Sequence, residues 1–110
     1  LKKQIAELQA KLKYVSVQGT EMHITGANLH VENGSGSTTG KPNGLGNVII
    51  GYNEARNTDS RRTGSHNLVI GGRHNYSSYG GMVAGYENDI AAPYACVSGG
   101  TRNQALGEYT

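Results

Sequence analysis

NLVIGGRHNYSSYGGMVAGYENDIAAPYACVSGGTRNQALG, residues 67–107, repeats one short phrase three times, as VIGG, VAGY and VSGG. Val69, Val83 and Val97 stand fourteen residues apart, and so do Gly71, Gly85 and Gly99. An apolar column of Leu68, Met82 and Cys96 precedes them. Asn75, Asp89 and Asn103 follow, and then Ser77, Ala91 and Ala105. An earlier copy, GLGNVIIGY at 44–52, sets Asn47 against Asn67, Val48 against Leu68, Ile49 against Val69 and Gly51 against Gly71. It lies twenty residues upstream, which is one period plus a six-residue insertion.

A fourteen-residue unit is too short for a helical repeat, which needs about 33 residues or more. It is long enough for two short strands and two tight turns. Coils of that size stacked at the strand spacing of about 4.8 Å would form a parallel solenoid, with each column a ladder along the axis. Val suits a strand packed above and below itself. Gly at every level marks crowded backbone or positive φ. Ser and Ala indicate little room inside a coil, while Asn and Asp suit turns and can bond to each other when stacked. Residues facing water are then free to vary.

Composition fits this reading. The 110 residues include 17 Gly, no Phe and no Trp, and only 35% are apolar. One domain is expected, with a core too small for a conventional globule. Periodic apolar positions argue against disorder, and the absence of Gly at every third residue excludes collagen. The net charge of +2 gives no basis for nucleic-acid binding. A single cysteine cannot form a disulfide within the chain, and no run approaches the roughly 20 apolar residues of a membrane span. Without a leader at its start, the chain reads as a piece of something longer.

At the other end, LKKQIAELQAKLKYV places Leu1, Ile5, Leu8, Leu12 and Val15 at spacings of 4, 3, 4 and 3. This is the a/d alternation of a coiled coil, set among strong helix formers. Two heptads do not persist alone in water, so a stalk held by neighbouring copies is expected. YVSVQG, MHITG and NLHVENG then read as short strands. The domain plan is a coiled-coil stalk over 1–14, short β segments and a Gly/Ser loop over 15–43, and repeats over 44–110 with an insertion near 56–63. A coil this small encloses few side chains. Its apolar ladder (Val48, Leu68, Met82 and Cys96 beside Ile49, Val69, Val83 and Val97) needs like chains to cover it.

GTRNQALG, residues 100–107, resembles the fourteen-residue motif of YadA-like trimeric autotransporter heads, G-x-x-A-x-A-x-G, with Asn103 and Ala105 at the two Ala places and Gly107 closing it. VSGG falls where that family has S-V-A-I-G. Tyr79 and Pro93 replace the closing Gly of earlier repeats, and Tyr52 and Tyr86 replace the Gly of G-x-x. The run from Asn43 to Gly100 also resembles a group of uncharacterised bacterial surface proteins with Ser-Gly-Gly repeats after a short coiled coil. These resemblances imply an all-β fold, a left-handed parallel β-roll with coils of about fourteen residues, homotrimeric and carried on the N-terminal helix.

Signals for enzyme chemistry are poor. GSGSTTGK at 34–41 lacks the spacing of a phosphate loop. His23, His30, His66 and His74 fall on alternating or turn positions without ligand spacing. Cys96, in the apolar column, reads as a buried structural thiol. No enzyme activity, cofactor or metal site is therefore expected; a left-handed-helix acyltransferase is disfavoured because it repeats every six residues. The insertion carries Arg56, Asp59, Arg61 and Arg62, and its guanidinium groups suit carboxylates, sulfates or acidic sugars. The expected function is a structural and binding segment of a trimeric bacterial surface fibre, adhesin-like, meeting a protein or glycan receptor outside the cell by avidity. A tail-fibre or spike segment of a phage or phage-like injection machine is the alternative. Neither reading involves nucleic acid or membrane contact in this segment.

Overall fold

The computed structural model describes residues 1–110, which divide into two compact units, Leu1–His30 and Val31–Thr110.

The first unit opens with helix α1, Lys2–Lys11, a run of Lys, Gln, Ala, Glu and Leu that favours helix throughout. It ends at Leu12, whose N–H bonds the carbonyls of Leu8 and Gln9. Beyond it the β-branched Val15 and Val17 favour strand. Strand β1 (Val15–Gln18) turns back through Gly19 and Thr20 into β2 (Glu21–Ile24), an antiparallel pair with Val15 opposite Ile24 and Val17 opposite Met22. Gly19 takes φ +57, as such tight turns require. Thr25 N–H closes the hairpin on the Tyr14 carbonyl at 2.9 Å. No residue of α1, β1 or β2 is buried.

The second unit contains two parallel sheets. One is four-stranded, in the order β3 (Val48–Ile50), β4 (Leu68–Gly72), β6 (Met82–Tyr86) and β8 (Cys96–Val97). The other is three-stranded, in the order β5 (Asn75–Tyr76), β7 (Asp89–Ile90) and β9 (Gln104–Ala105). Val48 pairs with Leu68, Leu68 with Met82 and Met82 with Cys96, so this column is a ladder of neighbouring rungs. Val69 and Val83 are completely buried and Val97 nearly so. With Tyr76, Ile90, Ala95 and Ala105 they make up the whole apolar core.

Polar ladders hold the rungs together. His74, Asn88 and Asn103 share one column. Asn88 Nδ2 donates to the Ala84 carbonyl at 2.8 Å, and Asn88 Oδ1 accepts the N–H of Asn103 at 2.8 Å. His74 repeats that pattern with its ring: Nε2 lies 2.8 Å from the Ile70 carbonyl, and Nδ1 accepts the N–H of Asn88 at 3.1 Å. This pattern has Nε2 donating and Nδ1 accepting. A second ladder runs from Asn47 Oδ1 to the N–H of Asn67 at 3.0 Å, and from Asn67 Oδ1 to the N–H of Gly81 at 2.9 Å. Each side chain satisfies backbone that would otherwise be unpaired between layers.

The chain is not the all-β left-handed parallel β-roll that its spacing and resemblance led us to expect. It combines a helix, an antiparallel pair and two small parallel sheets that do not close into a solenoid. Three local features oppose closure. The second sheet has strands of only two residues. The first repeat supplies no strand to it, because the insertion near 56–63 runs there without strand pairing. The last repeat steps by fifteen: Tyr86 bridges to Thr101 and Asp89 pairs with Gln104. Gly100 therefore stands above Gly85, where Gly99 was expected. A Cβ on Gly71 would strike the Gly85 carbonyl oxygen, and one on Gly85 that of Gly100. Asn103 belongs to the column of Asn88, and Ala105 pairs with Ile90.

Candidate functional site

Two surfaces follow from this arrangement: the outward face of the four-stranded sheet and the segment that crosses the three-stranded one. Side chains alternate along a strand. With Val69 and Val83 inward, Leu68, Ile70, Met82 and Ala84 point outward and are partly covered, while Val48, Ile50 and Cys96 are exposed. This outward face is apolar along its length. A groove of about 300 Å³ runs beside it, lined by Val31, Val48, His66 and Leu68 among others. Parallel sheets normally bury both faces, and this one buries only its inner face. Cys96 is exposed on it, which corrects the expected buried thiol. Ile49 points inward with Val69 but lies at the sheet edge and is exposed. In the first unit, Leu1, Ile5, Leu8 and Leu12 are all exposed along α1.

The insertion lies against the chain as a strap. Its backbone takes the place of a missing rung beside β5: Tyr76 N–H donates to the Arg61 carbonyl at 2.7 Å, Arg61 N–H to Asn75 Oδ1 at 2.7 Å, and Asn75 Nδ2 to the Asp59 carbonyl at 2.8 Å. Its guanidinium groups also bond within the chain. Arg56 donates from Nε to the Arg73 carbonyl at 2.8 Å and from Nη2 to the Asn88 carbonyl at 3.1 Å. Arg62 donates to the Asn53 carbonyl. Arg61 reaches past Asn75 to pair with Asp89 Oδ2 at 2.8 Å and lies 3.4 Å from Asp59. The structure thus sets Arg56 and Arg61 across β5 and β7, where they tie one layer to the next, with Asp59 beside Arg61, while Arg62 bonds within its own repeat. Asp89 is buried and its Oδ1 has no partner, so Arg61 is its sole neutralising contact.

Two further columns were missed by spacing. Arg73, Glu87 and Arg102 alternate in charge along one edge, at 2.9 and 3.2 Å. The Arg102 guanidinium, aided by Arg73, holds the Glu87 carboxyl below its usual range against the opposing effect of burial. All three residues have positive φ, as turn positions of successive coils. Tyr79, Tyr94 and Tyr109 form the other column, edge-on at 5.5 Å and then stacked at 5.4 Å. The alternation Arg–Glu–Arg at steps of fourteen and fifteen was the readable signal for the first. No three His, Cys, Asp or Glu side chains converge as metal ligands, and no helix is long and apolar enough to cross a membrane.

No protein-family description, no curated protein and no solved structure matches this chain. Its likeness to the autotransporter heads rests on the motif residues alone.

Proposed function

We propose that this chain is a structural and binding segment of a trimeric surface fibre, in which like chains cover one another's apolar faces. The observation that carries the reading is the apolar outer face of the four-stranded sheet, only partly covered at Leu68, Ile70, Met82 and Ala84 and exposed at Val48, Ile50 and Cys96. The four-stranded sheet turns Val69, Val83 and Val97 into the core and carries an apolar exterior as well, so it has a second packing partner still to meet. The heptad seam of α1, exposed from Leu1 to Leu12, supports the same reading, because such a seam packs against like helices. Three copies follow the resemblance. A fibre of this kind acts by rigidity and avidity, presenting repeated weak contacts to a protein or glycan receptor.

The test is the mass of the full chain in solution, by sedimentation or light scattering at micromolar concentration, with Ile50→Lys and Leu8→Lys as variants. A threefold mass that falls in the variants supports the reading. A folded single chain at that concentration would refute it. Glycan-array and cell-binding assays on the intact assembly then address the receptor.

A further inference from the structure

The β1–β2 hairpin carries an apolar face that nothing in its own unit covers. Residues directly opposite in an antiparallel pair point to the same side, and so do alternate residues along a strand. The register therefore places Val15, Val17, Met22 and Ile24 on one face, and Ser16, Gln18, Glu21 and His23 on the other. The first face is wholly apolar, yet Val17 is 62% and Met22 72% exposed. A two-stranded hairpin is marginal in water unless another layer covers its apolar face.

We propose that this face is an interaction surface for the same hairpin in other copies of the chain, and that it locks them parallel and in register. The inference rests on the self-association proposed above and specifies where and in what alignment it occurs. The occupant is identified by the seam that leads into the hairpin. Leu1, Ile5, Leu8 and Leu12 continue at the same spacing to Val15, which begins the apolar face of β1. A parallel copy seated on the helical seam brings its own Val17 and Met22 to the same level. An antiparallel copy would set the hairpin against the start of α1 instead. No charged group lies on the face, so an uncharged apolar partner is required, and a second copy supplies one of the same shape. The polar face, with Glu21 and His23, stays toward water.

Thiol cross-linking of the full chain tests this in a Cys96→Ser background. Val17→Cys and Met22→Cys probe the apolar face, and Ser16→Cys and His23→Cys the polar one. Under mild oxidation the first pair is expected to form covalent dimers about tenfold faster than the second, because disulfide formation follows thiol access and proximity. The mass of each reduced variant is measured alongside. Loss of assembly in Val17→Cys or Met22→Cys, with assembly retained in Ser16→Cys, supports the proposal equally. An oligomer in which the two pairs cross-link at the same rate, or not at all, overturns the hairpin contact and leaves self-association standing. A single-chain mass for the Cys96→Ser parent overturns both.

Discussion

Asn88 is the residue on which the layers depend most. It is completely buried, and its side chain bonds within its own rung and to the next one. Nδ2 donates to the carbonyls of Ala84 at 2.8 Å and Gly100 at 3.0 Å, and Oδ1 accepts from the N–H of Asn103 at 2.8 Å. Asn88→Ala removes these bonds together. Gly100 keeps a second bond, from the Tyr86 N–H at 3.0 Å, so its loss is small. The Ala84 carbonyl and the Asn103 N–H lose the partners described here, and unpaired buried groups cost about 1–3 kcal/mol each. Asn103 lies near the surface, where water can replace part of its bond. The expected cost is about 3 kcal/mol, against roughly 4–12 kcal/mol for a unit of this size at 0.05–0.15 kcal/mol per residue. Asn88→Asp should cost more at neutral pH, because it points a carboxylate at two carbonyl oxygens. Part of that cost should return as the pH falls and the acid protonates into a donor. Urea unfolding at fixed protein concentration measures both effects, since assembly makes apparent stability concentration-dependent. A loss below about 0.5 kcal/mol for Asn88→Ala, the usual range of a surface change, would refute the ladder argument. So would an aspartate that behaves like the wild type.

Arg61→Ala leaves Asp89 buried without a counter-charge. It should destabilise by about 1–3 kcal/mol, less than the roughly 3–5 kcal/mol of a fully buried broken pair because Arg61 is half exposed. Asp89→Asn in the same chain should recover part of the loss, as read by thermal unfolding. Gly85→Ala forces a side chain into the Gly100 carbonyl at φ +110, and unfolding should report a cost of about 2 kcal/mol or more. Glu87 has a lowered folded-state pKa, so its contribution is present above the ordinary glutamate value of about 4.3 and disappears as the pH falls through the lower folded value. Glu87→Gln should flatten the acid limb of the stability profile in that window. A profile superimposable on the wild type would contradict the Arg73–Glu87–Arg102 column.

Much of the rung-to-rung order was legible from spacing. The columns of Leu68, Met82 and Cys96 and of Val69, Val83 and Val97 sit as paired neighbours, because a constant period returns the chain to the same place on the next strand. The helix was legible from its formers, and the hairpin strands from alternation about Gly19. The candidate site was less so. The arginines of the insertion were visible as charges, but their bonds to the Arg73 and Asn88 carbonyls and to the Asp89 carboxylate, seventeen to thirty-two residues away, were not. A histidine in an asparagine column was hidden as well, since only the geometry shows the ring donating and accepting as an amide does.

What the amino-acid order determined by itself was therefore translation along the stack: which residues recur, which are apolar, and where the chain switches from helix to strand. The tertiary structure alone decided closure and facing. One extra residue between Val97 and Gly100 shifts the later half of the last rung, and the inserted segment occupies the second sheet's edge, so the sheets stay separate. Spacing measures distance along the chain, whereas closure depends on turn dihedrals and on which backbone groups find partners across layers.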